Sequence, residues 1–116
     1  MKVLLFSFLL ISSVAHSTVM KSPPFLRTNQ IAFCEVVNTT DQPLTVYIDY
    51  VITNYPTPES KTVYLFPHKA YQFKVEKGLA YSYCQFTFDA KRSAVRAEAG
   101  LIDKTTGNLI DSVKAY

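Results

Sequence analysis

Apolar and polar residues alternate with a spacing of two along most of this chain, which is the pattern of a half-buried β-strand. In residues 44–53, the clearest example, one face carries Leu44, Val46, Ile48, Tyr50 and Ile52. The other face carries Thr45, Tyr47, Asp49, Val51 and Thr53. This spacing favours a strand over a helix, in which apolar positions recur every three or four residues.

The two cysteines of the chain, Cys34 and Cys84, lie in two further apolar segments, residues 30–38 and 80–88. Each cysteine stands near the middle of its segment, among apolar residues of the same face. The first segment is apolar on both faces, as in a strand that is covered on both sides or lies inside a dimer. We expect both segments to be strands.

Three shorter segments also have a strand pattern, at residues 61–66, 70–76 and 109–115. Proline, glycine, asparagine and aspartate mark the turns between segments, at residues 38–43, 54–60, 77–78 and 103–108. In the last of these turns Gly107 can take the left-handed conformation that a hairpin needs. Seven or eight short strands of this kind predict an all-β protein.

Residues 94–102 are ambiguous between helix and strand. Their alanine, arginine and glutamate content favours a helix, whereas Val95, Ala97, Ala99 and Leu101 alternate as in a strand. Gly100 weakens a helix, and the segment leads into the hairpin signal. We therefore predict a strand.

The N-terminus has the pattern of a cleaved signal peptide. Lys2 precedes an apolar stretch, residues 3–11, which is too short to span a bilayer of about 30 Å. Small residues place the cleavage site after Ala15 or after Ser17; the alternative is a membrane-anchoring or core helix. We expect a signal peptide at 1–17, an extended arm or broken edge strand with two prolines at 18–29, and a β-domain at 30–116.

Export changes the interpretation of the cysteines. Two cysteines in an oxidising compartment most simply form one disulfide, here Cys34–Cys84, although two free buried thiols remain the alternative. The formal net charge is +3, and removal of Lys2 with the leader leaves eleven basic and nine acidic residues, hence +2. Such a small charge argues against a nucleic-acid partner.

One cysteine early in the domain and one late, each in mid-strand, resembles the inter-sheet bridge of immunoglobulin-like sandwiches. The chain has no tryptophan to pack on the bridge, and Ser82 stands where such domains have a tyrosine. The resemblance therefore implies an Ig-like antiparallel β-sandwich of seven to eight strands, but not a true immunoglobulin domain.

Residues 30–115 are also similar to small exported bacterial proteins of unknown function. The shared features are a Cys-x-x-x-Asn strand, a Tyr-Cys-x-Phe strand, a Val-Arg-Ala strand and a closing hairpin. In this chain they are Cys34 and Asn38, then Tyr83, Cys84 and Phe86, then Val95, Arg96 and Ala97. The similarity implies a disulfide-pinned sandwich outside the cytoplasm, secreted or periplasmic, and implies no activity.

The sequence favours no catalytic, metal or cofactor site. His68 lies in a Pro-His-Lys turn and is expected to be exposed, and no Gly-x-Ser-x-Gly motif is present. Asp49 and Glu35 could form a carboxylate pair of the kind that glycosidases use, if their strands lie close. Charges on a solvated sheet face explain them more simply, so a small secreted hydrolase is only an alternative.

Tyrosines are the better candidates for function, since they are enriched at interfaces where one end of the side chain is dry and the other wet. If Tyr47, Tyr81 and Tyr83 share an outer sheet face, they could bind a protein or a glycan. Alternatively, this face carries amphipathic residues without function, or the two-proline arm covers it.

A basic group at Lys91, Arg92 and Arg96 could bind an anionic surface polymer, although a solvated loop is the simpler interpretation. We thus expect an exported, non-catalytic binding or structural module without a cofactor or a membrane span after cleavage. Its partner would be a protein or glycan. Alternatively, it would be an oligomer or a subunit of a surface assembly that pairs edge strands.

Overall fold

The computed structural model describes residues 17–76 and 81–116. Over these residues the chain forms nine β-strands and one short 3-10 turn, Arg92–Ala94. The strands are β1 (Thr18–Lys21), β2 (Phe25–Leu26), β3 (Ile31–Asn38), β4 (Leu44–Ile52), β5 (Glu59–Leu65), β6 (Ala70–Val75), β7 (Tyr81–Phe88), β8 (Val95–Ile102) and β9 (Leu109–Lys114). The expected signal peptide and the turn at 77–78 lie outside the described residues.

The strands form two antiparallel sheets that pack as a sandwich. Sheet 1 has the order β1-β7-β4-β5, and β2 also pairs with β7 next to β1. Sheet 2 has the order β6-β3-β8-β9. The predicted all-β sandwich is confirmed, with nine described strands where seven or eight were expected.

The core lies between the sheets and is built from the alternating positions that the sequence predicted. In β4 the buried residues are Val46, Ile48, Tyr50 and Ile52. In β8 the same alternation buries Val95, Ala97, Ala99 and Leu101. The strand prediction for 94–102 is therefore confirmed for Val95–Ile102, because pairing with β3 and β9 outweighs the helix propensity of its alanines.

The predicted disulfide is confirmed and connects the two sheets. Cys34 lies on β3 of sheet 2, and Cys84 lies on β7 of sheet 1, with their Cα atoms 5.7 Å apart. Both residues are fully buried. The bond joins residues 50 positions apart in the sequence and holds central strands of the two layers together.

The N-terminal segment forms a broken edge strand. β1 and β2 both pair with β7, and Ser22-Pro23-Pro24 separates them. Ser22 bridges the gap: its backbone N–H donates to the Cys84 carbonyl, and its Oγ accepts from the Cys84 N–H, both at 2.9 Å. Thr18–Leu26 therefore form the broken edge strand that was one of the two alternatives for 18–29, and they belong to the sandwich rather than to an arm outside it.

Backbone hydrogen bonds also connect the sheets along one side of the sandwich. The Lys21 N–H donates to the Tyr116 carbonyl at 2.8 Å, and the Tyr116 N–H donates to the Lys21 carbonyl at 2.9 Å. β1 of sheet 1 is thereby joined to the chain that follows β9 of sheet 2. At the β8–β9 turn, Gly107 has the predicted left-handed conformation, with φ 75°.

Candidate binding surface

The outer face of sheet 1 carries the tyrosines that the sequence singled out. Alternation along β4 turns Tyr47 outward, and alternation along β7 does the same for Tyr81 and Tyr83, because the residues between them face the core. Tyr64 of β5 lies on the same outer face. We call Tyr47, Tyr64, Tyr81 and Tyr83 the tyrosine face.

Three of the four rings of the tyrosine face are open to solvent, and Tyr83 is partly buried. The exposed fractions are 52% for Tyr47, 60% for Tyr64 and 56% for Tyr81. The N-terminal segment lies along the edge of β7, in the plane of the sheet, and therefore does not cover these rings. The alternative of a face hidden under the two-proline arm is wrong.

The strand register divides the tyrosine face into two groups. Tyr47 is opposite Thr87, while Tyr83 is opposite Val51, so the two positions are four residues apart along β4, or about 13 Å. Between them lies a polar row in which Ser60 donates a hydrogen bond of 2.6 Å to Asp49. A partner that contacts both groups would therefore also meet hydrogen-bonding side chains.

The three predicted basic residues do not join this face. Lys91 and Arg92 lie in the connection where the chain crosses from sheet 1 to sheet 2, and Nη2 of Arg92 donates to the Val19 carbonyl at 3.4 Å. Arg96 lies on β8 and points outward from sheet 2. The candidate tyrosines and the basic group therefore lie on separate parts of the molecule: the tyrosines on the outer face of sheet 1, Lys91 and Arg92 in the connection between the sheets, and Arg96 on the outer face of sheet 2.

A pair of acidic residues, which the sequence did not reveal, occupies the outer face of sheet 2. Glu35 of β3 and Glu98 of β8 lie directly opposite each other in the strand register. Gln72 of β6 donates a hydrogen bond of 3.4 Å to Glu35, and Lys114 of β9 is opposite Glu98. Two concave regions, of about 360 and 430 Å³, meet at this pair.

The environment of the pair raises the pKa of Glu35. Burial is the largest cause, followed by the hydrogen bond and the negative charge of Glu98, while the hydrogen bond from Gln72 acts in the opposite direction. Two carboxyls at directly opposed positions of neighbouring strands disfavour simultaneous ionisation. Protonation of Glu35 therefore relieves the repulsion.

The hypothesis of a carboxylate pair between Asp49 and Glu35 is wrong. Asp49 lies on the outer face of sheet 1 and Glu35 on the outer face of sheet 2, so the whole core separates them. Alternation in residues 94–102 was enough to place Glu98 on an outer face. It could not reveal the register that brings Glu98 to Glu35.

His68 is exposed, as its position in a turn predicted. Its backbone has φ 60°, and its Nε2 lies 2.9 Å from Oδ1 of Asp41, with 63% of the histidine side chain exposed. The contact joins the β3–β4 and β5–β6 turns. Within residues 17–76 and 81–116, no group of three His, Cys, Asp or Glu residues has an arrangement that could hold a metal ion.

One polar pair lies inside the core. The hydroxyl of Tyr50 on β4 and Oγ of Ser82 on β7 are 2.6 Å apart, and both residues are almost completely buried. Burial raises the pKa of Tyr50, while the hydrogen bond with Ser82 and the charge of Arg27 act in the opposite direction. Each hydroxyl thus satisfies the other, and the pair serves the packing of the core.

Comparisons with known proteins find a structure with a similar fold but no matching family. No family model and no curated protein matches the chain. A solved structure with a similar fold is the crystal structure of Thermotoga maritima 1070, with a TM-score of 0.61 and 13% sequence identity over 88% of this chain and 95% of that one. In the described part of the chain, no helix is long and apolar enough to cross a membrane.

Proposed function

We propose that this protein is an exported, non-catalytic binding module of the cell envelope or extracellular space. The tyrosine face is its recognition surface, and its partner is a protein or a glycan. In this proposal residues 1–17 direct export to the periplasm or the exterior and are then removed. The disulfide-pinned scaffold is Ig-like in architecture, with a single bridge between the two sheets.

The observation that carries the proposal is the exposure of Tyr47, Tyr64 and Tyr81 on a sheet that the Cys34–Cys84 bond clamps to its neighbour. Tyrosines on a rigid scaffold provide a large contact area at a low cost in conformational entropy. The Asp49–Ser60 row between the two groups supplies donors and acceptors for a polar partner. Both features suit recognition of a surface rather than conversion of a substrate.

An affinity capture tests this proposal. The exported chain, with its disulfide verified by non-reducing mass analysis, is immobilised and exposed to envelope extract and, separately, to purified envelope polysaccharide. A Tyr47→Ser, Tyr81→Ser variant is run beside it. We expect one protein or polysaccharide to bind the unmodified chain and to be lost with the variant.

The matched control changes two exposed apolar residues on the other sheet, Leu109→Ser with Ile110→Ser on β9. This variant should retain the partner, since it leaves the tyrosine face intact. A partner that is retained by the tyrosine variant and lost with the control would overturn the assignment of the face. The melting temperature of each variant is compared with that of the unmodified chain. Equal values show that a loss of binding does not come from a loss of folding.

A further inference from the structure

The edge strands of the sandwich differ in how they are protected against pairing with another chain. Natural edge strands are blocked by prolines, bulges, charged side chains or a covering segment. Pro23 and Pro24 interrupt the edge formed by β1 and β2. At the edge formed by β9, the register is irregular around Ile102, and the chain that follows turns to pair with β1.

β5, the other edge of sheet 1, is regular along its whole length. It pairs with β4 from Glu59 to Leu65 without a shift in register, and it contains no proline or glycine. Lys61 is the charged residue in the middle of β5. It is opposite the core-facing Ile48 and therefore lies on the core-facing side of the sheet, but its side chain is exposed. A lysine in this position opposes pairing with a strand that cannot match its charge.

A second copy of β5 can place an acidic residue opposite Lys61. When two identical strands pair antiparallel about a twofold axis perpendicular to the sheet, opposed residues share a face and are separated by an even number of positions. Glu59 and Lys61 are two positions apart and meet this condition. Asp111 and Lys114 of β9 are three apart and do not. On the β6 edge, the acidic residue two positions from Lys74 is Glu76, which lies beyond the end of the strand and is 3.9 Å from Lys104.

We propose that two copies of this chain associate edge to edge through β5, in an antiparallel register centred on Ser60. Glu59 of each copy lies opposite Lys61 of the other, which gives two charge pairs. The pairing joins both copies of sheet 1 into one sheet, with the two tyrosine faces on the same side. This inference goes beyond the proposed recognition role and does not depend on it.

The register also gives the exposed ring of Tyr64 a partner. In this register, residues at equal distances from Ser60 lie opposite each other. Thr62 is therefore opposite Pro58 of the second copy, and Tyr64 is opposite Pro56 in the loop before β5. Tyr64 is 60% exposed and stacks edge-to-face on Phe66, with ring centroids 5.4 Å apart. Covering this pair would remove apolar surface from water. Because a few residues of edge strand form a small interface, we expect a weak, concentration-dependent dimer.

Charge reversal tests the pairing. Sedimentation velocity over a range of concentrations is measured on the exported chain, on Lys61→Glu, on Glu59→Lys and on the variant that combines both changes. Each single reversal places like charges opposite each other twice and should weaken dimerisation about tenfold. The combined variant restores both pairs and should recover the dimer.

A cysteine substitution tests the register. Ser60→Cys places two thiols directly opposite each other at the twofold axis, so mild oxidation should yield a covalent dimer. Thr62→Cys is the matched control, on the same strand and face, and should yield little of it because its opposite position is 58. Melting temperature and the native Cys34–Cys84 bond are checked in every variant, since Glu59 also has a contact within its own chain.

Three results would overturn the proposal. The first is a chain that stays monomeric at every concentration and that Ser60→Cys does not cross-link. The second is a dimer that is indifferent to the charge reversals. The third is cross-linking through Thr62→Cys instead of Ser60→Cys, which would mean a different register.

Discussion

Glu35 and Glu98 lie directly opposite each other on β3 and β8, the two central strands of sheet 2. Like charges at opposed positions of an antiparallel pair are destabilising. Charged and polar side chains line the two concave regions around them: Arg96, Lys114, Gln72, Lys74, Asp103 and Lys104. The protein thus keeps two carboxyl groups opposed at the centre of a sheet, and protonation of Glu35 relieves their repulsion.

This arrangement predicts that Glu35→Gln stabilises the protein at neutral pH. The pKa of Glu35 is raised in the folded state, so between its unfolded value of about 4.3 and the folded value the folded protein binds more protons than the unfolded chain. The contribution of Glu35 to stability therefore decreases as the pH rises through that window. Below it, both states are protonated and the difference from Gln should disappear.

The measurement is the melting temperature of both proteins from pH 3 to pH 8. Asp89→Asn, an exposed change in the turn after β7, is the control for the loss of one negative charge. It should shift the curve by a small, nearly constant amount. A Glu35→Gln curve parallel to that control across the whole range would contradict the coupling.

Asn38→Asp should destabilise the fold. The Asn38 side chain is fully buried; its Nδ2 donates to the carbonyls of Gln42 and Leu65 at 2.8 and 3.1 Å, and its Oδ1 accepts from the Thr40 N–H at 2.9 Å. Aspartate keeps the acceptor but sets a carboxylate against two carbonyl oxygens. We expect a loss on the order of 3 kcal/mol in urea unfolding.

Asn54→Asp, in an exposed turn, is the control for the same chemical change and should cost little. Equal losses in the two variants would show that Asn38 has no special role.

The burial of Asn38 also bears on the Asn38-Thr39-Thr40 triplet, which matches the N-glycosylation pattern. Because Nδ2 is occupied inside the fold, a glycan at this position is incompatible with the native structure.

Gly100→Ala should also be destabilising, for a steric reason. A Cβ at this position would overlap the backbone carbonyl of Asp111 on β9, and it would lie 2.6 Å from the buried ring of Phe33. We expect a loss of about 2 kcal/mol, measured by denaturant unfolding. Gly107→Ala is the comparison: nothing lies within 4 Å of its Cβ, so its cost of about 1 kcal/mol comes from the left-handed backbone alone. A larger loss at Gly107 would contradict the close packing at Gly100.

Removing the disulfide tests how far the bridge stabilises the sandwich. For a loop of 50 residues, the chain-entropy model gives a contribution of about 4 kcal/mol. Cys34→Ala with Cys84→Ala should therefore lower the free energy of unfolding by about this amount. A reductant should lower the stability of the unmodified protein and leave the double variant unchanged. Unfolding curves that are the same with and without the bridge would contradict this role.

The local pattern of the sequence determined much of the fold. Successive side chains on a strand point to opposite faces because of backbone geometry alone. The alternation in 44–53 therefore placed Tyr47 and Tyr50 on opposite faces before any pairing was known. In the same way, Gly107 marked a hairpin, since few other residues take a left-handed conformation at low cost.

Only the tertiary structure decided which residues meet across strands and sheets. Strand pairing is non-local: β3 pairs with β8, some sixty residues later in the chain, and nothing within either segment specifies the partner or the register. For this reason the sequence could suggest a pair of Asp49 with Glu35 only on the condition that their strands lie close, and the fold does not meet that condition. It could not reveal that Glu98 is the residue opposite Glu35. Alternation along one strand determines the face of each side chain, but the competition among all strands for backbone hydrogen bonds and core volume determines its neighbours.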